Sequence, residues 1–140
     1  MAHLITFATR KFDISKETPN NINPIAGEGV LEWIRHRLAG TGFIATKPSP
    51  EDWGWYMNVE GISASYRVGA SGEPDRSPPD VDWTIQVHRK RSVMDKLTGK
   101  NKLSSDDALF VLLERLVLAN PDFRVIAITR NAKHLAAADD

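Results

Sequence analysis

The chain has 140 residues, of which 18 are basic and 18 are acidic, so its formal net charge at pH 7 is zero. This length is typical of one domain, and an apolar fraction of 41% is sufficient for a core without disulfides or metals. The absence of cysteine excludes disulfide scaffolds, thiolate zinc sites, iron–sulfur clusters and cysteine nucleophiles.

The start of the chain does not have the pattern of a targeting signal. A secretory signal has a basic start and about 7–15 apolar residues, whereas Arg10 and Lys11 interrupt the apolar run here. The sequence also lacks a window with the roughly 20 apolar residues that span a bilayer. We therefore expect a cytoplasmic protein with no membrane partner.

The first predicted elements are a strand and a connection. Hydrophobic alternation predicts a strand over residues 3–7, with Ile5 and Phe7 on one side. Residues 13–22 are polar and contain a proline and two asparagines, so they predict a connection.

A helix is predicted next. Asn23-Pro24 is typical of a helix start, because Asn caps free amides and Pro suits the first helical position. Gly27 and Gly29 weaken that first turn and favour a start nearer Glu28. The apolar stripe and the terminating glycines of this helix are Val30, Leu31, Ile34 and Leu38, then Gly40 and Gly42.

Four strands are predicted in the middle of the chain, over residues 43–47, 53–60, 62–68 and 81–88. Pro48 and Pro50 end the first, and Gly61 predicts a tight hairpin between the second and third. Strict alternation predicts one apolar and one polar face, which favours an antiparallel sheet covered on one side. The residues assigned to the apolar face are Trp53, Trp55, Met57, Val59, Ile62, Ala64, Tyr66, Val68, Val81, Trp83, Ile85 and Val87.

Two short features interrupt and follow these strands. Residues 69–80 contain two glycines and three prolines, which predicts a flexible loop. After the last of these strands, Ser92 and Asp95 predict a capped helical turn that Gly99 ends.

The last part of the chain predicts a helix, a strand and a tail. Ser104 and Asp107 fit a capping box ahead of the apolar helix 108–119. Residues 124–130 predict a final strand, and residues 131–140 predict a frayed tail.

The order of predicted elements is β-α-β-β-β-β-α-β. A one-sided sheet must be covered, and two amphipathic helices supply enough cover for five or six strands. We therefore predict a single α+β domain over residues 1–140. Its architecture is a two-layer α/β sandwich, a mostly antiparallel sheet with both helices on one face.

Patterns for catalysis and metal binding are not complete in this sequence. The histidines at positions 3, 36, 88 and 134 lack the spacing of a helical metal site. Ser71 lies in a Gly-Ala-Ser-Gly-Glu segment, which departs from the G-x-S-x-G nucleophile turn at the second glycine. We predict no catalytic residue, no metal site and no cofactor.

The basic segment 89–102 is the one local departure from neutrality, with a single acid, Asp95, among its charges. Such a segment attracts phosphates or an acidic protein surface. RNA-binding sheets display aromatic rings on their open face, and here only Tyr56 has the required parity. The candidate binding residues are Arg89, Lys90, Arg91, Lys96, Lys100 and Lys102.

Helix 108–119 is apolar on nearly all sides, so either it is deeply buried or part of it meets a partner chain. A two-layer fold exposes the outer side of its helices, which makes Phe110, Val111 and Leu118 the candidate interface residues. The favoured hypothesis is a non-catalytic interaction module that binds another protein or a second copy of itself. The alternative is binding of an anionic ligand or nucleic acid through the basic segment. A third, less favoured hypothesis is an enzyme that uses the open sheet face. Its candidate groups are Ser65, Arg67, Gln86 and His88.

Overall fold

The fold was analysed in a computed structural model that describes residues 1–77 and 80–132. It confirms the predicted α+β sandwich with an antiparallel sheet. A short 3-10 turn, Ile14–Lys16, precedes the first α-helix. The helices and strands are β1 Ala2–Thr9, α1 Glu28–Leu38, β2 Ile44–Ala45, β3 Ser49–Glu51, β4 Gly54–Glu60, β5 Ser65–Ser77, β6 Asp80–Arg89, α2 Val93–Thr98, α3 Ala108–Leu118 and β7 Arg124–Ala132.

The sheet has seven strands in the order β2-β4-β5-β6-β1-β7, and β3 also pairs with β4. The last strand of the chain returns to pair with the first, so β1 lies between β6 and β7. The strand that was not predicted is β3, which contains Pro50. Proline is tolerated there because β3 lies at the edge of the sheet, where its missing N–H is not needed.

The core lies between one sheet face and the two longer helices. Leu31 and Ile34 of α1 and Leu113 of α3 are almost completely buried against inward-facing strand residues. Trp55 and Trp83 belong to the same core, which confirms the predicted parity for these two rings.

An aromatic cluster closes one end of the core. Phe12, which lies just after β1, contacts the rings of Trp33, Trp83 and Phe123 at centroid distances of 6.3, 5.8 and 5.8 Å. Phe7 stacks on Phe123 at 4.7 Å. The beginning and the end of the chain therefore share one packed cluster.

Two residues assigned to the apolar face do not lie there. Trp53 lies in the turn before β4 and packs on the outer sheet face, against Gly69. Alternation does not extend to Trp53 because Gly54, at φ +147°, turns the backbone after it. Ile62 is fully exposed, because the pairing of Glu60 with Ser65 leaves residues 61–64 as the loop of the hairpin.

The segment predicted as a loop over residues 69–80 is mostly strand. Residues 69–77 continue β5, β6 begins at Asp80, and residues 78–79 lie outside the described residues. The glycines serve close packing here. A Cβ atom on Gly69 would lie 2.4 Å from Cη2 of Trp53, and one on Gly72 would lie 2.5 Å from Cε3 of Trp83.

Of the two predicted starts of α1, the one nearer Glu28 is confirmed and the one at Asn23-Pro24 is wrong. The helix begins at Glu28, and the carboxylate of Glu17 accepts hydrogen bonds from the backbone N–H groups of Gly27, Glu28 and Gly29 at 3.0–3.1 Å. The polar connection thus supplies the cap that the residues next to the helix lack.

The cap of α3 also differs from the prediction. Asp107 is itself the N-cap, and its side chain accepts from the N–H of Phe110 at 3.1 Å. The backbone carbonyl oxygen of Ser104 instead accepts a hydrogen bond from Nε2 of His3, at 2.7 Å. At the end of the chain, residues 131–132 belong to β7. The rest of the predicted tail, residues 133–140, lies outside the described residues.

Replacing Glu17 tests the remote cap. Glu17→Ala leaves three N–H groups of the first turn without their acceptor, so we expect a loss of about 2 kcal/mol in unfolding free energy. Chemical denaturation measures this loss. Glu32→Ala is the control, because Glu32 forms an exposed pair with Arg35, and it changes stability by less than about 0.5 kcal/mol. Equal effects of the two substitutions would contradict the cap.

Replacing glycines at the start of α1 tests the close approach of the helix to β5. A Cβ atom on Gly27 would lie 2.2 Å from the carbonyl oxygen of Ala70, so Gly27→Ala is expected to cost about 3 kcal/mol. A Cβ atom on Gly29 would lie 3.3 Å from Oε2 of Glu17 and at ordinary contact distance from Phe12, and Gly29→Ala gains helix propensity, so it changes stability by less than about 1 kcal/mol. Thermal unfolding of both variants checks the difference, and a tolerated Gly27→Ala refutes it.

Candidate functional site: the surface around α2

Helix α2 forms because both of its ends are capped locally. The Ser92 hydroxyl accepts from the N–H of Asp95 at 3.0 Å, and the Asp95 carboxylate accepts from the N–H of Ser92 at 3.1 Å. The bond from that backbone N–H lowers the pKa of Asp95 below its usual range. Gly99 ends the helix in the left-handed conformation, at φ +73°. The predicted capped turn is therefore confirmed.

Two arginines hold α2 and its flanks by polar contacts. Arg91 donates to the carbonyl oxygens of Lys100 and Asp95 at 3.0 and 3.1 Å. Arg89 donates to Oδ1 of Asn101 at 3.3 Å. These two predicted binding residues are thus engaged in holding the segment in place.

Because polar bonds position α2, the helix buries none of its residues. Val93, Met94 and Leu97 are 76%, 65% and 77% exposed and lie within one side of the helix. Ile62, which is 100% exposed, lines a cleft of about 580 Å³ together with Ser92 and Asp95. The hairpin loop therefore brings a fourth apolar side chain to the same part of the molecule.

The remaining four predicted binding residues are exposed lysines, one on α2 and three in the segments that flank it. The two acids that line the cleft are already engaged, since Glu60 accepts from the Ser65 hydroxyl and Asp95 belongs to the capping box. Exposed apolar side chains and exposed lysines are therefore combined on α2 and the segments next to it. We call this region the α2 surface, formed by Ile62, Val93, Met94, Leu97, Lys90, Lys96, Lys100 and Lys102.

The interface predicted on α3 is only partly exposed. Phe110 is completely buried, with its ring 4.8 Å from that of His3 and covered by the guanidinium of Arg130. The expectation that Phe110 is exposed is therefore wrong, because the tertiary fold covers this side of α3 as well. Val111 is half-buried, and Leu118 is 57% exposed.

The four groups proposed for an enzyme do not form one accessible site. His88 and Gln86 are 4% and 3% exposed and contact each other through Nε2 and Oε1 at 3.0 Å. Arg67 stacks on Tyr56, and the hydroxyl of Ser65 donates to Glu60. Arg67 and His88 are opposite each other in the pairing of β5 with β6, but the histidine and the glutamine are both shielded from solvent.

The other described histidines are engaged in hydrogen bonds with the backbone. Nδ1 of His3 accepts from the N–H of Asn131 at 2.9 Å, and the ring of His36 bonds the carbonyl oxygen of Glu32 at 2.7 Å. His134 lies outside the described residues. Within residues 1–77 and 80–132, no group of three or more His, Cys, Asp or Glu residues could hold a metal ion.

No protein-family model matches this sequence, and comparisons with curated proteins and with solved structures give no match either. In the part of the chain that the structure describes, no helix is long and apolar enough to cross a membrane. Function is therefore inferred from the chemistry of the surface.

The sequence contains a signal for the α2 surface in addition to its basic residues. Three apolar residues fall within a helix of six residues that is bounded by a cap and a glycine. Charged residues flank this helix on both sides, and burying the helix in the core would require burying these charges as well. Its apolar residues are therefore candidates for exposure rather than for packing.

A buried polar cluster connects the α2 surface to the core. The phenol of Tyr66 donates to Oδ1 of Asp107 at 2.8 Å, and Arg89 lies 3.7 Å from the same oxygen. Burial, reinforced by the bond to Asp107, raises the pKa of Tyr66 well above its usual value. This cluster anchors the end of β6, from which the segment leading to α2 departs.

The raised pKa of Tyr66 predicts a pH dependence of stability. The neutral phenol contributes in full below the unfolded-state pKa of about 10, and its contribution is lost as the pH rises above that value. We expect Tyr66→Phe to lower the unfolding free energy at neutral pH by about 1 kcal/mol. Its stability should also decline less steeply above about pH 10 than that of the wild type. Denaturant titrations across this range measure both slopes, and parallel slopes would be the contrary result.

Proposed function

We propose that this domain is a non-catalytic protein-interaction module that docks its partner on the α2 surface. The observation that supports this is the exposure of four large apolar residues, each at least 65% accessible, at one end of the molecule. Contiguous exposed apolar patches on folded domains mark interaction sites. Burying one such side chain in a partner contributes about 1.5–3 kcal/mol, so a few of them support specific binding.

The positive charge of the lysines on the α2 surface indicates which kind of partner would bind there. Lys90, Lys96, Lys100 and Lys102 are exposed, and the acids of the cleft are engaged within the domain. A complementary partner therefore presents large apolar side chains flanked by Asp or Glu. The lysines speed encounter with such a segment, and the apolar contacts hold it afterwards.

The α2 surface is prepared for binding before the partner arrives. The capping box and Gly99 hold the helix, and Arg91 ties the helix to the residues that follow it. Ordering of loops at an interface costs affinity, and little ordering is needed here. A short and rigid helix face is thus suited to an extended or helical acidic segment.

Random-peptide display on the immobilised domain tests this proposal without a known partner. We expect enriched peptides to combine Asp or Glu with large apolar residues. Their affinity for the double variant Met94→Ser/Leu97→Ser should fall by at least about tenfold, which corresponds to 1.4 kcal/mol. Leu118→Ser, which removes an apolar residue that is 57% exposed on α3, is the matched control and retains binding.

Two outcomes would overturn the proposal. Peptides that bind the double variant and the wild type equally would show that the apolar residues of α2 do not form the docking site. Binding of heparin or oligonucleotides that depends on Lys96 and Lys100 but not on Leu97 would favour the alternative, an anionic ligand held by the basic segment.

A further inference from the structure

The outer face of the sheet contains a trench across β4, β5 and β6. Tyr56 pairs with Gly69, and Gly69 pairs with Gln86, so these three positions lie side by side on the face opposite the core. Because Gly69 has no side chain, the outer face has a depression at this position, between the side chains of Tyr56 and Gln86. The trench has the tyrosine on one side and the glutamine on the other.

The indole of Trp53 lies in this trench. Its Cη2 and Cζ3 atoms would be 2.4 and 2.5 Å from a Cβ atom on Gly69, so the ring rests on the backbone of β5. Trp53 is half-buried, so part of its surface is accessible, and the sheet covers the part that lies over Gly69. The ring is thus a flat aromatic platform on the outer face, in addition to the outward Tyr56 that the sequence predicted.

A positive charge is held next to this platform. Arg67 is the next outward position of β5, about 7 Å along the strand from Gly69. Its guanidinium lies 4.8 Å from the centroid of the Tyr56 ring, which orients it by a cation–π contact. Because Tyr56 pairs with Gly69, the ring of Trp53 over Gly69 and the guanidinium over Tyr56 are neighbours on the outer face.

The ring of Trp53 and the guanidinium of Arg67 are both held in place by the fold. Beside the platform, Gln86 and His88 are buried and in contact at 3.0 Å, so this side of the trench is packed. A ligand ring that stacks on Trp53 would not require the sheet to rearrange, and such pre-organisation favours affinity.

We propose that this face binds a planar ring that carries an anionic group, as a nucleotide does, with the ring stacked on Trp53 and the phosphate paired with Arg67. Stacking of a base on an aromatic side chain contributes about 1–3 kcal/mol. The same chemistry is present in a free nucleotide and in single-stranded nucleic acid. This site lies on the sheet and is independent of the α2 surface, whose exposed apolar residues are aliphatic and give no stacking partner.

Fluorescence titration of the intact domain tests the proposal with four probes. These are adenosine, adenosine monophosphate, inorganic phosphate and an oligouridylate of about eight nucleotides. We expect adenosine monophosphate to quench the tryptophan fluorescence of the wild type saturably. Because Trp53 variants lack the reporting indole, their affinities are compared with the wild type by isothermal titration calorimetry, in which Trp53→Ala should weaken binding at least about tenfold. Trp53→Phe keeps a ring and retains most of the affinity, which separates stacking from a loss of folding.

Arginine variants test the phosphate contact. Arg67→Gln should weaken adenosine monophosphate at least about fivefold and adenosine by less than about twofold. Arg37→Gln is the matched control, because Arg37 also lies over an aromatic ring, 5.5 Å from the centroid of Trp33 on α1. This control removes the same charge and is expected to leave the binding of all four probes unchanged.

The probes also distinguish the two sources of the ligand. An oligouridylate that binds at least about tenfold more tightly than the mononucleotide identifies single-stranded nucleic acid, and comparable or weaker binding identifies a free nucleotide. The proposal is overturned if none of the nucleoside or nucleotide probes binds saturably. It is also overturned if Trp53→Ala and Arg67→Gln bind as the wild type does, or if binding is lost only in Lys96→Gln/Lys100→Gln.

Discussion

Close contact with the backbone of β5 is the constraint on which this structure depends. On the core side, Gly27 brings the start of α1 against the carbonyl oxygen of Ala70, and the ring of Trp83 lies over Gly72. On the outer side, Trp53 lies over Gly69. Interiors pack as densely as crystals, so a methyl group at these positions would displace a helix or an indole. The strand with the most glycine and proline is consequently a centre of packing and not an irregular loop.

The three helices differ in how much they contribute to the core. Helices α1 and α3 cover the sheet and are anchored by carboxylates from elsewhere in the fold or from their own cap, Glu17 and Asp107. Helix α2 is held by a capping box and two arginines, and it contributes nothing to the core. Apolar residues that do not serve folding remain available for recognition. For this reason, the proposed docking surface is on the helix that the core does not need.

Much of the fold could be predicted, and the errors have identifiable causes. Periodicity identified β1, β4, β6, β7 and both long helices, because burial imposes a period of two or 3.6 on regular elements. It assigned Trp53 and Ile62 to the wrong side, since both belong to turns where alternation stops. It expected Phe110 on the surface, because the pattern of one helix does not show how many sides its neighbours cover. For the α2 surface, the basic residues were predicted, but the exposure of its apolar residues was not.

The sequence by itself determined the class of the fold, the balance of charge, the absence of thiol chemistry and the capped turn at α2. These follow from composition and from contacts within a few residues, which any conformation of the chain preserves. Only the tertiary structure decided that Glu17 caps α1, that Trp53 lies beside Arg67 and Tyr56, and that Ile62 joins α2 at one surface. Such juxtapositions depend on the register and order of the strands, which arise from packing across the whole sheet and leave little trace in local sequence.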